Sequence, residues 1–144
     1  MQYIRDNRIP IPKTEGISKS MRANKGKNTK PELRMRRLLR DAGAVGYRLH
    51  KKGIPGRPDM AFVGRKVAVF VHGCFWHRCP YCKLKLPKTH RVFWEKKFER
   101  NVERDRLNLA VLKKTGWKVI VVWECRLKGS PSREVNRVHR ALKT

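Results

Sequence analysis

Cysteine spacing most constrains how this chain can fold. Three cysteines, Cys74, Cys79 and Cys82, lie within nine residues in a C-x4-C-x2-C pattern, and Cys125 follows a distant apolar run. Four thiolates suit a closed tetrahedral zinc site, and buried or redox-active thiols are the alternative. A shared zinc ion would bring the cysteine-rich loop against the segment that carries Cys125.

The cysteine-rich loop also contains two histidines, either of which is an alternative zinc ligand. These are His72 and His77. A set of four sulfurs is favoured, because it leaves both histidines free for chemistry and gives a saturated structural site.

The chain is strongly basic. It has 37 Lys and Arg against 11 Asp and Glu, a formal net charge of +26 over 144 residues. Self-repulsion on this scale opposes compaction unless a polyanion neutralises it, so we expect a nucleic-acid partner and strongly salt-dependent binding. A ribosomal-type protein and a membrane-surface protein are alternatives, but the basic residues are spread through every segment and do not form one amphipathic helix.

Length and hydropathy predict one cytoplasmic domain. A chain of 144 residues fits a single domain. The longest apolar runs, 67–71 and 119–123, are too short to cross a membrane, and residues 1–12 lack the apolar core of a signal peptide. In a reducing cytoplasm the cysteine spacing favours a metal over disulfides.

Residues 1–28 predict a basic N-terminal arm. They mix Pro, Gly, Ser and Asn with Lys and Arg and show no sustained periodicity. Residues 1–15 could equally be a disordered tail or an expression artefact, whereas Met21 and Arg22 suit contact with DNA. Met21 is a candidate wedge between base steps. We expect residues 29–128 to form the main domain and residues 129–144 a basic tail or short helix.

A helix is predicted from Thr29 to about Ala42. Thr29 and Glu32 have the spacing of a capping box, in which each side chain bonds a free backbone N–H near the helix start. An apolar stripe follows, and Gly43 is a suitable stop. Glu32 lies on the inward side, so its carboxylate either only caps the helix or also reaches a metal ion or its water.

Asp59 is predicted to lie beside the end of a strand. Residues 47–51 alternate like a strand, and a hairpin of strands 60–63 and 66–71 follows. In an antiparallel pair the start of one strand neighbours the end of the other, which brings Asp59 close to Val71. A carboxylate there is a suitable Mg²⁺ ligand, and hydrated Mg²⁺ beside a histidine can activate water against a phosphodiester.

A second helix, residues 92–114, carries a carboxylate on its apolar face. The predicted stripe is Phe98, Val102, Asp105, Leu109 and Leu112. A buried carboxylate needs a partner, so Asp105 either pairs with an arginine or orients a catalytic histidine. The run 117–123 predicts a central strand covered on both faces. The predicted fold is therefore α/β, a mixed sheet flanked by helices.

Large aromatic side chains accompany both the cysteine-rich loop and the second helix. They are Phe75, Trp76, Phe93 and Trp94. Such residues either form core or stack against and intercalate between bases.

Several segments resemble the very-short-patch-repair DNA mismatch endonucleases. They are segments 20–22, 28–32, 55–59, 70–77, 101–105 and 122–125. The segment F-x-H-G-C-F-W-H at residues 70–77 is the most specific of them, and the resemblance covers about residues 18–128. It implies a restriction-endonuclease-like fold, a structural zinc ion, and Mg²⁺-dependent nicking 5′ to the thymine of a T:G mismatch left by deamination of 5-methylcytosine.

The resemblance also implies roles at the metal. Asp59 is the implied Mg²⁺ ligand, helped by the backbone carbonyl of Val71. His72 lies close to the scissile phosphate, and Glu32 supports the site by holding metal-bound water or a histidine. The E-x-K of the wider nuclease superfamily is missing after Asp59, which argues against a generic restriction-type mechanism.

Two further sets of residues take roles from the resemblance. His77 with Asp105 resembles the base-side pair, in agreement with the carboxylate on the apolar stripe. The implied DNA-contacting residues are the wedge Phe75, Trp76 and Trp94, with Met21 entering from the other groove and Arg22 beside it.

The zinc site departs from the family pattern. The family commonly supplies a histidine after the F-W-H segment, whereas residues 78–82 of this chain offer two cysteines. Our predicted zinc ligands are therefore Cys74, Cys79, Cys82 and Cys125. The family differs at the fourth ligand, for which it commonly uses a histidine.

Three functional hypotheses follow. The first is a Mg²⁺-dependent, strand-specific mismatch endonuclease acting as a monomer on T:G-containing duplex DNA, associated with the nucleoid and with mismatch-repair proteins as candidate partners. The second is a related nuclease for another DNA structure, and the third a non-catalytic, zinc-stabilised DNA-binding protein. The bases recognised around the mismatch depend on groove contacts and DNA deformability.

Overall fold

A computed structural model of the chain describes residues 27–143. The elements in chain order are α1 (Lys30–Asp41), β1 (Arg48–Leu49), β2 (Met60–Phe62), a 3-10 turn (Val63–Arg65), β3 (Val67–His72), α2 (Arg91–Lys114), β4 (Lys118–Trp123), α3 (Glu124–Gly129) and α4 (Pro131–Lys143). Within these residues no helix has the length and apolar character needed to cross a membrane. Met21 and Arg22 lie outside the described residues.

The predicted first helix is confirmed, but its capping box is incomplete. The Thr29 side chain accepts a hydrogen bond from the Glu32 N–H at 3.4 Å, as expected. The Glu32 carboxylate instead accepts from the N–H of Asn28, at 2.9 Å. Asn28 has a left-handed backbone with φ of 58°, and the second capping bond falls one residue upstream of the prediction. Met35 and Leu39 form the fully buried stripe of α1.

The predicted hairpin is confirmed, with its first strand one residue shorter and its second strand shifted by one residue. β2 and β3 pair antiparallel with Met60 opposite Val69. The 3-10 turn and a left-handed Lys66, φ 52°, replace the predicted two-residue turn. Strand 47–51 is reduced to the two residues of β1, paired antiparallel with β2.

The sheet is mixed, with strand order β1-β2-β3-β4. β3 and β4 are parallel, with Val71 opposite Val122 and His72 opposite Trp123. All six residues of β3 are buried, which makes β3 the central support of the domain. The prediction of a central strand at 117–123 is wrong in position, because β4 lies at an edge of the sheet that the described residues form. Its apolar run reflects packing on both faces, because α2 covers the face of Val119 and Val121 while α3 and α4 cover the face of Ile120 and Val122.

Helices cover the two faces of the sheet. One core cluster joins α1, α3 and α4 to the sheet through residues such as Met35, Leu127 and Val138. The other contains Ala68, Phe70 and the α2 residue Leu112. The segment predicted as a tail or short helix forms the 13-residue α4, which contributes Val138 to the first cluster. The α/β class and the mixed, helix-flanked sheet are confirmed.

The inward face of α2 differs from the prediction at one position. Val102 is 43% exposed, whereas Trp94, Phe98 and Leu112 are buried. At 3.6 residues per turn, Asn101 lies closer than Val102 to the mean direction of those three side chains. The inward face therefore carries polar residues that include Asn101, Asp105 and Asn108.

Candidate active site

One cleft of about 710 Å³ brings the predicted active-site residues together. They are Glu32, Asp59, Val71, His72, His77 and Asp105, together with the aromatic residues Phe75 and Trp76. The C-terminal end of β3 lines the cleft through Phe70, Val71 and His72. The basic residues Lys27, Arg57 and Arg104 also line the cleft.

Asp59 stands at the start of β2, beside the end of β3 as predicted. Its Oδ2 accepts a hydrogen bond from the Val71 N–H at 2.6 Å. Burial, followed by repulsion from Glu32, raises the pKa of Asp59 from its usual acidic range to about 7. Burial and the neighbouring Glu32 therefore disfavour the charged form of the Asp59 carboxyl group.

Glu32 is buried at the start of α1 and accepts several hydrogen bonds. Its Oε2 lies 2.9 Å from the N–H nitrogen of Asn28, 3.2 Å from Nη2 of Arg36 and 3.1 Å from Nε2 of His50. His50 Nε2 is also 3.5 Å from Oδ1 of Asp59. His50 therefore bridges the two carboxylates of this part of the cleft.

Our sequence reasoning missed His50 as a site residue and treated it only as part of a strand. The pairing register between β1 and β2 is the signal that would have identified His50 as a site residue. Leu49 pairs with Met60 in the antiparallel β1–β2 ladder, so the next position on β1 and the preceding one on β2, His50 and Asp59, come opposite each other. That register is not visible in the spacing of residues along the chain.

His77 and Asp105 form a short, direct contact. Nδ1 of His77 lies 2.6 Å from Oδ2 of Asp105. Burial opposes ionisation of Asp105, but its hydrogen bond and charge interaction with His77 prevail and lower its pKa. Asp105 is therefore ionised at neutral pH and fixes one nitrogen of the His77 ring.

His72 stacks face to face on His77. The ring centroids are 3.9 Å apart and the planes differ by 4°. Burial, and then the neighbouring His77, lowers the pKa of His72 to about 3, so its imidazole is neutral at physiological pH. Its Nδ1 is buried without a hydrogen-bond partner among the described residues.

Helix α2 holds two consecutive residues of the cysteine-rich loop. Asn101 donates from Nδ2 to the backbone carbonyl of Trp76 at 3.2 Å. One turn later, Asp105 contacts His77 at 2.6 Å. The loop therefore depends on side chains that lie on the inward face of a distant helix.

The aromatic residues form one cluster with unequal exposure. Phe75 lies 5.0 Å from Trp76 and 5.2 Å from Phe98 between ring centroids, and Trp94 stacks on Phe98 at 5.6 Å. Trp94 is 9% exposed and Phe98 is 3% exposed, so both belong to the packed interior. Phe75 and Trp76 are half-buried and line the cleft.

The four predicted zinc ligands come together without a histidine. The Sγ atoms of Cys74, Cys79, Cys82 and Cys125 all lie within 4.8 Å of one another. The Cys79 and Cys125 sulfurs are 3.6 Å apart, much longer than a disulfide bond of about 2.05 Å. Tetrahedral zinc with bonds of about 2.3 Å requires sulfur separations of about 3.8 Å. The donor set therefore fits a tetrahedral metal ion.

Comparison with known proteins adds an independent finding. The family profile described as DNA mismatch endonuclease Vsr matches residues 12–83. The chain is 41% identical over 112 residues to the DNA mismatch endonuclease Vsr of Escherichia coli, covering 78% of this chain and 71% of that protein. It is 44% identical over 108 residues to the Type II nicking enzyme V.XorIIP of Xanthomonas oryzae pv. oryzae, covering 74% and 78%. It is 43% identical over 122 residues to the Type II nicking enzyme V.NaeI of Lentzea aerocolonigenes, covering 80% and 71%.

Proposed function

The chain belongs to the family of DNA mismatch endonucleases Vsr, and we propose that it nicks one strand of duplex DNA 5′ to the thymine of a T:G mismatch left by deamination of 5-methylcytosine. The observation that carries this proposal is that Asp59 and the His77–Asp105 pair line the same cleft. A carboxylate that can hold a cation and a histidine that can accept a proton are together suited to metal-assisted hydrolysis of a phosphodiester.

We assign the cation site to Asp59, with the backbone carbonyl of Val71 beside it. The raised pKa of Asp59, about 7, supports this assignment, because a divalent cation would compensate the charge that burial and Glu32 disfavour. Mg²⁺ bound there would activate water and offset the charge that develops on the phosphate. Glu32 contributes by holding His50 rather than by contacting phosphate.

We assign proton transfer to His77. Because Nδ1 of His77 faces the ionised Asp105, its proton stays on Nδ1 and Nε2 is free to accept a proton from the attacking water. The neutral His72 stacks on this ring and keeps it in one orientation. At the scissile phosphate, His72 can act as a neutral hydrogen-bond donor.

Mismatch recognition is proposed for the aromatic residues that line the cleft. Phe75 and Trp76 are accessible enough to enter a base step, whereas the more buried Trp94 supports them from behind. Met21 and Arg22, in the basic arm at residues 1–28, are proposed to contact the duplex from the other groove. Aromatic insertion of this kind unstacks the bases and bends the DNA.

We propose that the four cysteines hold one structural Zn²⁺. Saturation by four thiolates leaves no open position for substrate, so this ion supports the loop and takes no part in the reaction. We further propose a restriction-endonuclease-like domain that begins at residue 29 and continues past residue 128 through α4, because α4 packs into the core. We propose that it acts as a monomer on chromosomal DNA in the bacterial cytoplasm. Mismatch-repair proteins are candidate partners.

The decisive experiment compares matched duplexes. End-labelled DNA with T:G or T:A at one position is incubated with Mg²⁺ and either wild type, Asp59→Ala or the control Asp41→Ala, which removes an exposed carboxylate of α1. We expect one nick, only in the T:G duplex, from wild type and the control. Equal cutting of T:A would refute mismatch specificity, and binding without any nick would favour a non-catalytic DNA-binding protein.

A further inference from the structure

His50 lies between the buried carboxylate of Glu32 and the half-buried carboxylate of Asp59, the proposed cation ligand. We propose that His50 is a positioning residue that fixes the Asp59 carboxylate in the orientation that receives the catalytic cation. This inference rests on the proposed role of Asp59 as the cation ligand, and it concerns a residue outside the set predicted from the sequence.

The two oxygens of Asp59 face different partners. Oδ2 accepts the Val71 N–H at 2.6 Å, so the backbone of β3 fixes one side of the carboxylate. Oδ1 faces Nε2 of His50 at 3.5 Å. Without His50, the Val71 bond alone would leave the carboxylate free to tilt about that contact, and a cation would have to order it on binding. The longer contact of Oδ1 with His50 Nε2, whose hydrogen bond goes to Glu32, limits that freedom in advance.

His50 is itself held from the opposite side. Its Nε2 lies 3.1 Å from Oε2 of Glu32, whose side chain is only 3% exposed. Glu32 is in turn fixed by Arg36 at 3.2 Å and by the Asn28 N–H at 2.9 Å. The chain of contacts therefore runs from α1 through His50 to Asp59, and each link is at least partly buried.

Hydrogen-bond capacity separates a positioning role from direct coordination. An sp² carboxylate oxygen offers about two lone pairs, and Oε2 of Glu32 already faces three nitrogen donors. That oxygen has little capacity left for a metal ion. A His50 Nε2 that carries the proton for Glu32 also has no lone pair with which to coordinate. Through these two atoms, His50 and Glu32 act on the cation by way of Asp59, and direct coordination would need the other carboxylate oxygen of Glu32 or the other ring nitrogen of His50.

The test measures cation binding by the full-length protein in the absence of DNA. Mn²⁺, a paramagnetic probe for the Mg²⁺ site, is titrated and the free ion is followed by electron paramagnetic resonance. The proteins are wild type, Asp59→Ala, His50→Ala, His50→Gln and His139→Ala. The last removes a histidine of α4 that does not line the cleft. Loss of a residue that orients a metal ligand typically weakens metal binding about 10- to 100-fold.

We expect His50→Ala to bind Mn²⁺ about 10- to 100-fold more weakly. His50→Gln keeps an N–H donor and should recover most of the affinity, and His139→Ala should match wild type. In nicking assays the half-saturating Mg²⁺ concentration of His50→Ala should rise, while its rate at saturating Mg²⁺ stays within a few fold of wild type. Thermal unfolding checks the fold, and His50→Leu replaces His50→Ala if that variant unfolds.

Each outcome has one meaning. Wild-type affinity in His50→Ala would overturn the inference, and so would a His50→Gln variant as weak as His50→Ala, because imidazole would then act as a ligand itself. Unchanged Mn²⁺ binding in Asp59→Ala would instead overturn the proposed cation site. Failure of the inference and failure of the proposed function are therefore distinguished within one titration series.

Discussion

The substitution Asp105→Asn isolates the contact between Asp105 and His77. An amide nearly matches the carboxylate in shape but removes its charge. Its NH₂ group can also turn toward Nδ1 of His77, whose proton needs a hydrogen-bond acceptor. The substitution therefore removes a charge-assisted hydrogen bond of 2.6 Å. Such bonds contribute about 1.5–3 kcal/mol. Since each 1.36 kcal/mol is a tenfold change in rate, we expect the rate of nicking to fall about 10- to 150-fold.

The assay is single-turnover nicking of a T:G duplex at saturating enzyme and Mg²⁺, which reports the chemical step. Affinity for the same duplex is measured separately by fluorescence anisotropy and should stay within a few fold of wild type. Glu103→Gln is the matched control, because it makes the same carboxylate-to-amide change on an exposed turn of α2, where Glu103 pairs with Arg106. A rate for Asp105→Asn within twofold of that control would refute the proposed orientation of His77.

Three other predictions follow from separate parts of the molecule. Burial and Glu32 raise the pKa of Asp59 to about 7, so the folded chain binds this proton more tightly than the unfolded chain and its stability falls as the pH rises toward 7. Asp59→Asn should therefore raise the unfolding midpoint in Mg²⁺-free buffer more at pH 8 than at pH 5. An equal shift at both pH values would contradict this. Cys125→Ser should lose bound zinc measured by elemental analysis and unfold at lower temperature, whereas full zinc occupancy with unchanged stability would exclude the proposed ligand. Trp94→Ala should cost about 3–5 kcal/mol of unfolding free energy because Trp94 is buried, whereas Trp76→Ala should cost less and mainly weaken binding to T:G relative to T:A; denaturant titrations and anisotropy would show the reverse pattern if Trp76 were the core residue.

Local patterns in the sequence were sufficient for the elements that position the site. The capping pattern at Thr29 and the periodicity of the second helix predicted α1 and α2, because both signals arise within a few residues of chain. The hairpin pattern brought Asp59 beside Val71, since an antiparallel turn fixes which strand ends are neighbours. Features determined by one helix or one hairpin could therefore be predicted from the sequence.

Features determined by packing between distant segments could not be predicted from the sequence. Val102 was assigned to the inward face because it is apolar, but the face is set by the direction in which Trp94 and Phe98 pack. His50 was missed because its role depends on the β1–β2 register and on the approach of Glu32 from α1. The edge position of β4 likewise depends on the strand order of the whole sheet, which the run of apolar residues does not encode.

The cysteine-rich loop shows why neighbouring residues in one motif can serve different functions. Its conformation is fixed from outside at three points: Asn101 holds the Trp76 carbonyl, Asp105 holds His77, and the Cys125 N–H donates to the Cys74 sulfur at 3.3 Å. Two of these anchors lie on consecutive turns of α2, and the third comes directly after β4. Because β4 is paired along its whole length with the fully buried β3, the third anchor is fixed relative to the strand that carries His72. The packing of α2 and β4 against β3 therefore sets the relative positions of the histidines, the aromatic residues and the cysteines. The motif itself determines only which residue types are present.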